Sequence, residues 1–438
     1  MLTNMPFNWI NLCFVTVLIL GQITHFVDGS KVWELSDRFL DMKHDGQWYI
    51  MFFAPWCGHC KKIEPVWAHV AQSLVNTNIL VGKIDCSRFT QAAQHYKVNS
   101  YPTIMFIKGD QEYIYNGDQV RDDMIAFAYR MSGPPVQQVT QMESFDMLKT
   151  QNELFFSYVG PRNGSLWNNY YAIAEHFQPH AYFYTTNREI ASQHFHINEV
   201  PAVLVFKENN HYHFPISVSS DFQEVEKPFL NETLYNWINE ERFLTFPKVT
   251  RSNIYQISQT QKFLVLAVVE ENKLNEIASH ELEFRDMIET IIRQKYDKYH
   301  KRFQFGWIGT PEIAHSIVMD QLATPHLIVL NTTTYEHYIP DDEPERLTID
   351  AIELFLHNIH YDKIRAYGGN SFVIRIYRTY FEMKRFLVEM WRGNPILTAV
   401  LFGLPLGFLS LIMYSIFCAD ILDADEEDDE DGGHEKNE

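Results

Sequence analysis

The sequence predicts an α/β chain of three tandem domains built on one plan, followed by a single transmembrane helix. Three observations carry that expectation. Strand-like and helix-like stretches alternate along the chain, and an X-Pro dipeptide enters a hydrophobic run at three comparable places, Tyr101-Pro102, Val200-Pro201 and Thr324-Pro325. A Cys-x-x-Cys pair, Cys57 and Cys60, stands in the first of the three stretches, and the other two hold no cysteine. Finally, Pro395–Ala419 carries no charge, and as a helix it would run about 37 Å, enough to cross a bilayer core.

Residues 1–29 are expected to be a signal peptide. Ile10–Ile23 forms a short apolar core, small and polar residues follow to Ser30, and cleavage is placed near Gly29. Residues 30–133 form the first domain. It reads as a strand at Trp48–Phe53 and a helix from Cys57 to about Leu74, interrupted by Pro65. A strand at Ile79–Asp85, a helix at Ser87–Tyr96 and a strand at Thr103–Ile107 follow. A turn at Asn116-Gly117 leads to the closing helix Asp122–Met131. The boundary falls at Ser132–Pro135 (SGPP). In residues 134–245 the pattern returns, with strands at Glu153–Gly160, Ala181–Tyr184 and Ala202–Phe206 and a helix at Trp167–Phe177. In residues 246–367 strands are expected at Lys262–Val269, Phe303–Ile308 and His326–Asn331.

Within residues 368–394 an amphipathic juxtamembrane helix is expected over Ser371–Trp391. Val373, Ile376, Tyr380, Met383, Leu387 and Met390 recur at steps of three and four, with Arg375, Arg378, Glu382, Arg385 and Glu389 off that seam. Docking on the third domain and lying on the membrane face are both open for it. The span 395–419 follows. Residues 420–438 form an acidic tail, disordered on composition from Asp423, with eleven acids against one lysine. That tail supplies half of the formal charge of -20, so the body is only mildly acidic and offers no basic surface for nucleic acid.

Five cysteines are too few for a disulfide framework. Cys13 and Cys418 lie in the two apolar segments, leaving Cys57, Cys60 and Cys86 to the folded part. A strand feeding a helix that opens with Cys-x-x-Cys is a redox signature. The stretches APWCGHCKKIEP, KIDC at Lys83–Cys86 and SYPTIMF at Ser100–Phe106 resemble the catalytic domain of the protein disulfide isomerase family. The resemblance implies three thioredoxin-like domains, one redox-active and two cysteine-free. With the span and tail, the layout resembles the thioredoxin-related transmembrane branch of that family.

Cys57 at a helix N-terminus would be held as thiolate by unpaired backbone N–H groups and the helix dipole, and His59, when protonated, would add a cation nearby. Cys60, three residues on, lies within disulfide reach. Cys57 is then the nucleophile and Cys60 the resolving thiol. The resemblance adds Tyr101 and Pro102, joined by a cis bond facing the cysteines, as a clamp for a substrate strand, beside Trp56. Lys83 is the expected pKa-modulating residue. Two positions depart from the family. Its buried carboxylate, six residues before the first cysteine, is here Met51, so Lys83 is left to find another partner or a lowered pKa. The family's arginine after the Asn-Gly-like turn falls on Gln119, with Arg121 two residues on.

Zinc would need four ligands, and no second Cys-x-x-Cys or spaced His pair accompanies this one; His357 and His360 read as solvated or capping. A permanent structural disulfide is the other alternative. Cys86, at the end of a buried strand, reads as an unreactive core thiol. No diffusible cofactor is implied: electrons pass to and from other thiols, whether of folding luminal proteins, of other oxidoreductases or of glutathione.

Five basic residues, Arg375, Arg378, Lys384, Arg385 and Arg392, precede the span, which by the positive-inside bias favours a cytosolic body. Large domains translocate largely regardless of charge, and the leading signal and the sequons at Asn163, Asn231 and Asn331 point to the lumen. The expected protein is a single-pass endoplasmic reticulum membrane enzyme with a luminal body and a cytosolic tail. A client-holding adaptor, whose cysteine pair mainly traps substrates, is the first rival reading, and a tail-anchored cytosolic reductase, favoured by the basic flank before the span, is the second.

Overall fold

The run WYIMFF forms a strand because both of its faces are buried. In the computed structural model, which describes residues 32–194, 197, 199–215 and 227–427, it occupies most of the strand Gln47–Phe53. Trp48, Ile50 and Phe52 enter one core layer with Phe39, Ala92 and Tyr96. Tyr49 and Met51 enter the opposite layer with Ile63, Trp67 and Val70. The first sheet comprises β1 (Trp33–Leu35), β2 (Gln47–Phe53), β3 (Ile79–Asp85), β4 (Thr103–Lys108) and β5 (Gln111–Ile114), in the order β1-β3-β2-β4-β5. β1 and β2 run parallel to β3, β4 runs antiparallel to β2, and β5 antiparallel to β4. Gly82 of β3 permits the close approach of β1: a Cβ there would stand 2.6 Å from Leu35 Cδ1 and 3.3 Å from the Trp33 carbonyl oxygen.

Two helices cover the Met51 face. Gly58–Leu74, the redox helix, runs unbroken through Pro65, where an interruption was expected. Its buried side, Ile63, Trp67, Val70 and Leu74, anchors it, and the fully buried Trp67 donates its Nε1–H to the Gly82 carbonyl at 3.2 Å. The closing helix Arg121–Ser132 adds Met124, Phe127, Ala128 and Met131 to the same layer. The helix expected over Ser87–Tyr96 is shorter, Thr90–His95. The Asp85 carboxylate accepts from Ser87 N–H (3.0 Å) and Oγ–H (2.6 Å), which holds Ser87 in a turn.

The chain divides into two compact units, one running to Gln261 and taking in Gln304–Gly306, the other holding the remainder. The first unit contains a second sheet of β6 (Gln137–Gln138), β7 (Leu154–Val159), β8 (Phe183–Thr186), β9 (Ala202–Lys207) and β10 (Asn210–His213). Its order, β6-β8-β7-β9-β10, and its strand directions repeat the first sheet. The aromatic stretch LWNNYY is largely core, with Leu166 and Tyr170 buried in the helix Gly164–Phe177. Arg130 ties the first two sheets' domains together. It donates through Nε to the Gln178 carbonyl (2.8 Å) and through Nη2 to that of Pro179 (2.7 Å), while Gln178 Nε2 donates back to the Arg130 carbonyl (2.7 Å).

The third sheet comprises β11 (Phe263–Val268), β12 (Phe303–Ile308), β13 (His326–Asn331), β14 (Glu336–Tyr338) and β15 (Tyr367–Gly368), in the order β12-β11-β13-β14-β15. Its first four strands match β3-β2-β4-β5, and the fifth is added on the opposite edge. The fold is therefore three thioredoxin-like domains in tandem. Each X-Pro bond at 102, 201 and 325 is cis and opens the strand that follows it.

In the second unit the helix Phe372–Gly393 is capped by Ser371, whose Oγ accepts the Ile374 N–H at 3.4 Å. The last helix, Pro395–Glu427, continues beyond the expected span end at Ala419. The tail expected to be disordered from Asp423 is helical as far as Glu427, because no glycine or proline stops the propagating helix before Gly432. Among the described residues one helix is long and apolar enough to cross a membrane, with its span at Pro395–Ile416. The signal segment 1–29 and the acidic residues from 428 onward lie outside the described residues.

Candidate active site

Cys57 is the N-cap of the redox helix, in extended conformation, and its sulfur accepts the backbone N–H of Cys60 at 3.1 Å. A sulfur so placed meets the unpaired amides and the positive end of the helix dipole, an arrangement that stabilises a thiolate. Cys60 sits one turn deeper. Their Cα atoms are 5.3 Å apart and the two sulfurs are joined as a disulfide. Both residues are buried, Cys57 at 7% exposed and Cys60 at 3%.

The surroundings of the pair come from three places in the first sheet's domain. Ala54, Phe53 and Tyr101 pack against the two cysteines. The Tyr101 carbonyl oxygen lies 3.6 Å from the Cys57 sulfur, just ahead of the cis Tyr101-Pro102 bond. Trp56 is 73% exposed, with its ring edge against Tyr101 at 5.9 Å between centroids. His59 is exposed on the first turn of the redox helix. A groove of about 270 Å³ runs between Pro102 and the turn Asn116–Gln119.

Met51 is 1% exposed and lies in register with Lys83 on the neighbouring parallel strand. Lys83 has found carboxylates elsewhere. Its Nζ is 3.0 Å from Glu64 Oε1 and 3.4 Å from Glu34 Oε1, and it sits 5.5 Å from the centre of the Phe53 ring. Burial by itself would lower its pKa, but the hydrogen bond and charge of Glu64, with those of Glu34, outweigh burial and leave it raised. Glu64, four residues after Cys60 on the redox helix, was not singled out from sequence; that spacing was the available signal. Glu34, Glu64 and Lys83 line an open cleft of about 610 Å³ beside the helix. Arg121 is exposed and bound to its neighbour Asp122 at 2.8 Å, while Gln119 lines the groove at Pro102.

Cys86 is buried at the end of β3, and burial pushes its thiol up to about 11, against a hydrogen bond to Tyr101 that pulls the other way. His357 and His360 are exposed in the last turn of Ile349–His360, each with its ring against Tyr361. Of the three sequons, Asn163 and Asn231 are exposed. Asn331 is half-buried, its side chain accepting the Thr333 N–H at 3.0 Å.

Residues 36–130 match the thioredoxin family model, and residues 159–358 match a thioredoxin-like domain model. The chain is 31% identical over 413 residues to "Protein disulfide-isomerase TMX3" of Homo sapiens, covering 94% of this chain and 86% of that protein. The chain belongs to the protein disulfide isomerase family. The protein of the same name from Xenopus laevis is 30% identical, covering 95% of this chain and 89% of its own length. Among solved structures, human ERp44 in its zinc-bound form aligns over 76% of this chain and 89% of its own, at 11% identity and a TM-score of 0.33. As a member of the disulfide isomerase family the chain is a thiol–disulfide oxidoreductase, with its Cys-x-x-Cys pair in the first thioredoxin domain.

Proposed function

We propose that this enzyme works in the endoplasmic reticulum membrane on cysteines of folding luminal proteins, making, breaking and rearranging their disulfides through Cys57 and Cys60. The observation that carries the reading is the Cys57 sulfur capping the redox helix within 3.1 Å of the Cys60 amide. A substrate thiolate attacks the Cys57–Cys60 disulfide at Cys57, and Cys60 leaves as thiolate; a second substrate thiolate then attacks the mixed disulfide, forming the substrate disulfide and releasing Cys57 as thiolate. In the reverse direction the Cys57 thiolate attacks a substrate disulfide, and Cys60 then attacks Cys57 to release the reduced substrate. His59 supplies a nearby cation when protonated. The Tyr101–Pro102 loop and the exposed Trp56 hold the substrate strand over Cys57. Lys83, with Glu64 and Glu34, sets the charge beneath the redox helix.

For the chain as a whole, the domains are placed at 30–133, 134–245 and 246–367, with the juxtamembrane helix at 368–394. The body is luminal, glycosylated at Asn163 and Asn231 and, where Asn331 becomes accessible, there too. The tail is cytosolic. The exposed position of the first two sequons leaves both open to modification there.

Met51, where a proton-accepting carboxylate would stand, favours a second reading in which release of Cys57-bound clients is slow and the protein mainly holds them. One experiment separates the two. Wild-type protein and its Cys60→Ala variant are compared for client capture in cells and for refolding of a scrambled disulfide substrate in vitro. Catalytic refolding by the wild type, lost in Cys57→Ala, supports the enzyme reading. Efficient capture with no turnover above the glutathione buffer supports the holding one.

A further inference from the structure

Most of the hydrophobic seam of the juxtamembrane helix is exposed: Val373, Ile376, Tyr380 and Met383 are open, while Leu387 and Met390 are half-buried. The covered side of Phe372–Gly393 is marked by Ile374, Arg378, Phe381 and Arg385, which are half-buried and recur at steps of four, three and four. Arg378 donates to the Gly369 carbonyl at 3.2 Å. Arg385 donates to the Glu312 carbonyl at 3.1 Å and to Ser316 Oγ at 2.9 Å, both on the helix Pro311–Val318. At 100° per residue the opposite side carries Phe372, Ile376, Tyr380, Met383 and Trp391, together with Leu387 and Met390, which are half-buried. The first five are 76%, 55%, 54%, 55% and 56% exposed, a run of large apolar side chains along about five turns.

Chain continuity and charge say what covers it. The helix ends at Gly393, and the span begins at Pro395, so its C-terminal end stands within about 10 Å of the hydrocarbon boundary. The helix has five basic residues against two acids. Arg375 and Lys384 flank the seam on either side, where long cationic side chains can reach lipid phosphates, whereas Glu382 and Glu389 lie toward the covered side. Tyr and Trp on the seam are the residue types that settle at a headgroup layer.

We propose that Phe372–Gly393 is an interfacial membrane helix: its Phe372–Ile376–Tyr380–Met383–Trp391 seam lies in the lipid surface that the following span crosses, and its Arg378–Arg385 side carries the third domain. Arg375 and Lys384 take anionic headgroups. The proposal rests on the reading of Pro395–Ile416 as a membrane span, and the test keeps the two apart.

Full-length protein is reconstituted in vesicles of phosphatidylcholine with phosphatidylserine. A diazirine confined to the acyl region is photolysed, and labelled residues are mapped by mass spectrometry. Labelling of the span together with Phe372, Ile376, Tyr380 and Met383, but not of Ile374 or Phe381, is the expected result. The double variant Ile376→Glu, Met383→Glu should lose seam labelling about tenfold or more while the span stays labelled, since two apolar anchors are removed. A labelled span with an unlabelled seam overturns the proposal and leaves the span. Seam residues protected from lipid but cross-linked between copies overturn it in favour of self-association. An unlabelled span overturns the membrane reading itself, and this inference with it.

Discussion

Replacing Met51 by glutamate should put a carboxylate in the layer under the redox helix, which carries Cys60, and speed release of substrate from Cys57. Met51 shares a sheet face with Lys83, and both lie under the redox helix. The introduced carboxylate would lose the burial of a fully enclosed Met and enter an apolar layer where its charged form is disfavoured. Lys83, already held by Glu64 and Glu34, repays only part of that. The cost is about 2–3 kcal/mol, a fall of roughly 10–20 °C in Tm if the first domain unfolds by itself. Against that cost, a positioned acid–base group contributes about 10²–10⁴ to a proton-transfer step. Because burial disfavours the charged form of the carboxylate, we expect the lower end or somewhat less, a gain of at least about tenfold. The assay is stopped-flow decay of a Cys57–glutathione mixed disulfide through attack by Cys60. Met51→Gln is the control, with the same shape and no titratable proton. If both variants stay folded and release glutathione at the same rate as each other, the reasoning about Met51 is wrong.

Cys86 should resist alkylation in the folded, reduced protein. A thiol pushed up to about 11 has a thiolate fraction at pH 7.5 a few hundredfold below that of an ordinary cysteine. Its neutral form is favoured by the fold, so this contribution to stability is full below about pH 8.5 and is lost as pH rises toward 11. Mass spectrometry after brief iodoacetamide treatment checks the first point, and urea unfolding between pH 8 and 10 the second; rapid labelling of Cys86 without unfolding would contradict both. Arg130→Met should remove two charge-assisted hydrogen bonds to the Gln178 and Pro179 carbonyls, at a cost of about 3 kcal/mol, and loosen the SGPP junction. Proteolysis within Ser132–Pro135 should then accelerate, and an unchanged cleavage rate would show that other contacts hold the two domains together.

What the sequence made legible were features whose signal is local. WYIMFF declares a strand because both faces of β2 are buried, and Cys57 declares a helix start because the cysteine pair, Pro65 and the apolar spacing share one short stretch. The edge strands β1, β5 and β10, and β14 one place in from the third sheet's edge, were missed, being three or four residues long and lacking an alternating pattern. The partners of Lys83 were invisible for another reason: Glu34, Glu64 and Lys83 come from a strand, a helix and a second strand, and only the fold brings them together. The juxtamembrane helix shows the limit most clearly. Its period could be read, but not the side that meets the protein, because Arg378 and Arg385 take the covered side and most of the apolar seam is left outside.

The reduction potential of Cys57–Cys60, equilibrated against glutathione buffers in the full-length protein, bears most directly on the proposed role. A helix-capping thiolate stabilises the reduced pair, which makes the disulfide a better oxidant. The expected value is therefore near that of protein disulfide isomerase, about -180 mV, within reach of an endoplasmic reticulum poise of about -180 to -210 mV. A value near that of thioredoxin, about -270 mV, would contradict a disulfide-donating and shuffling role and make the pair a reductant.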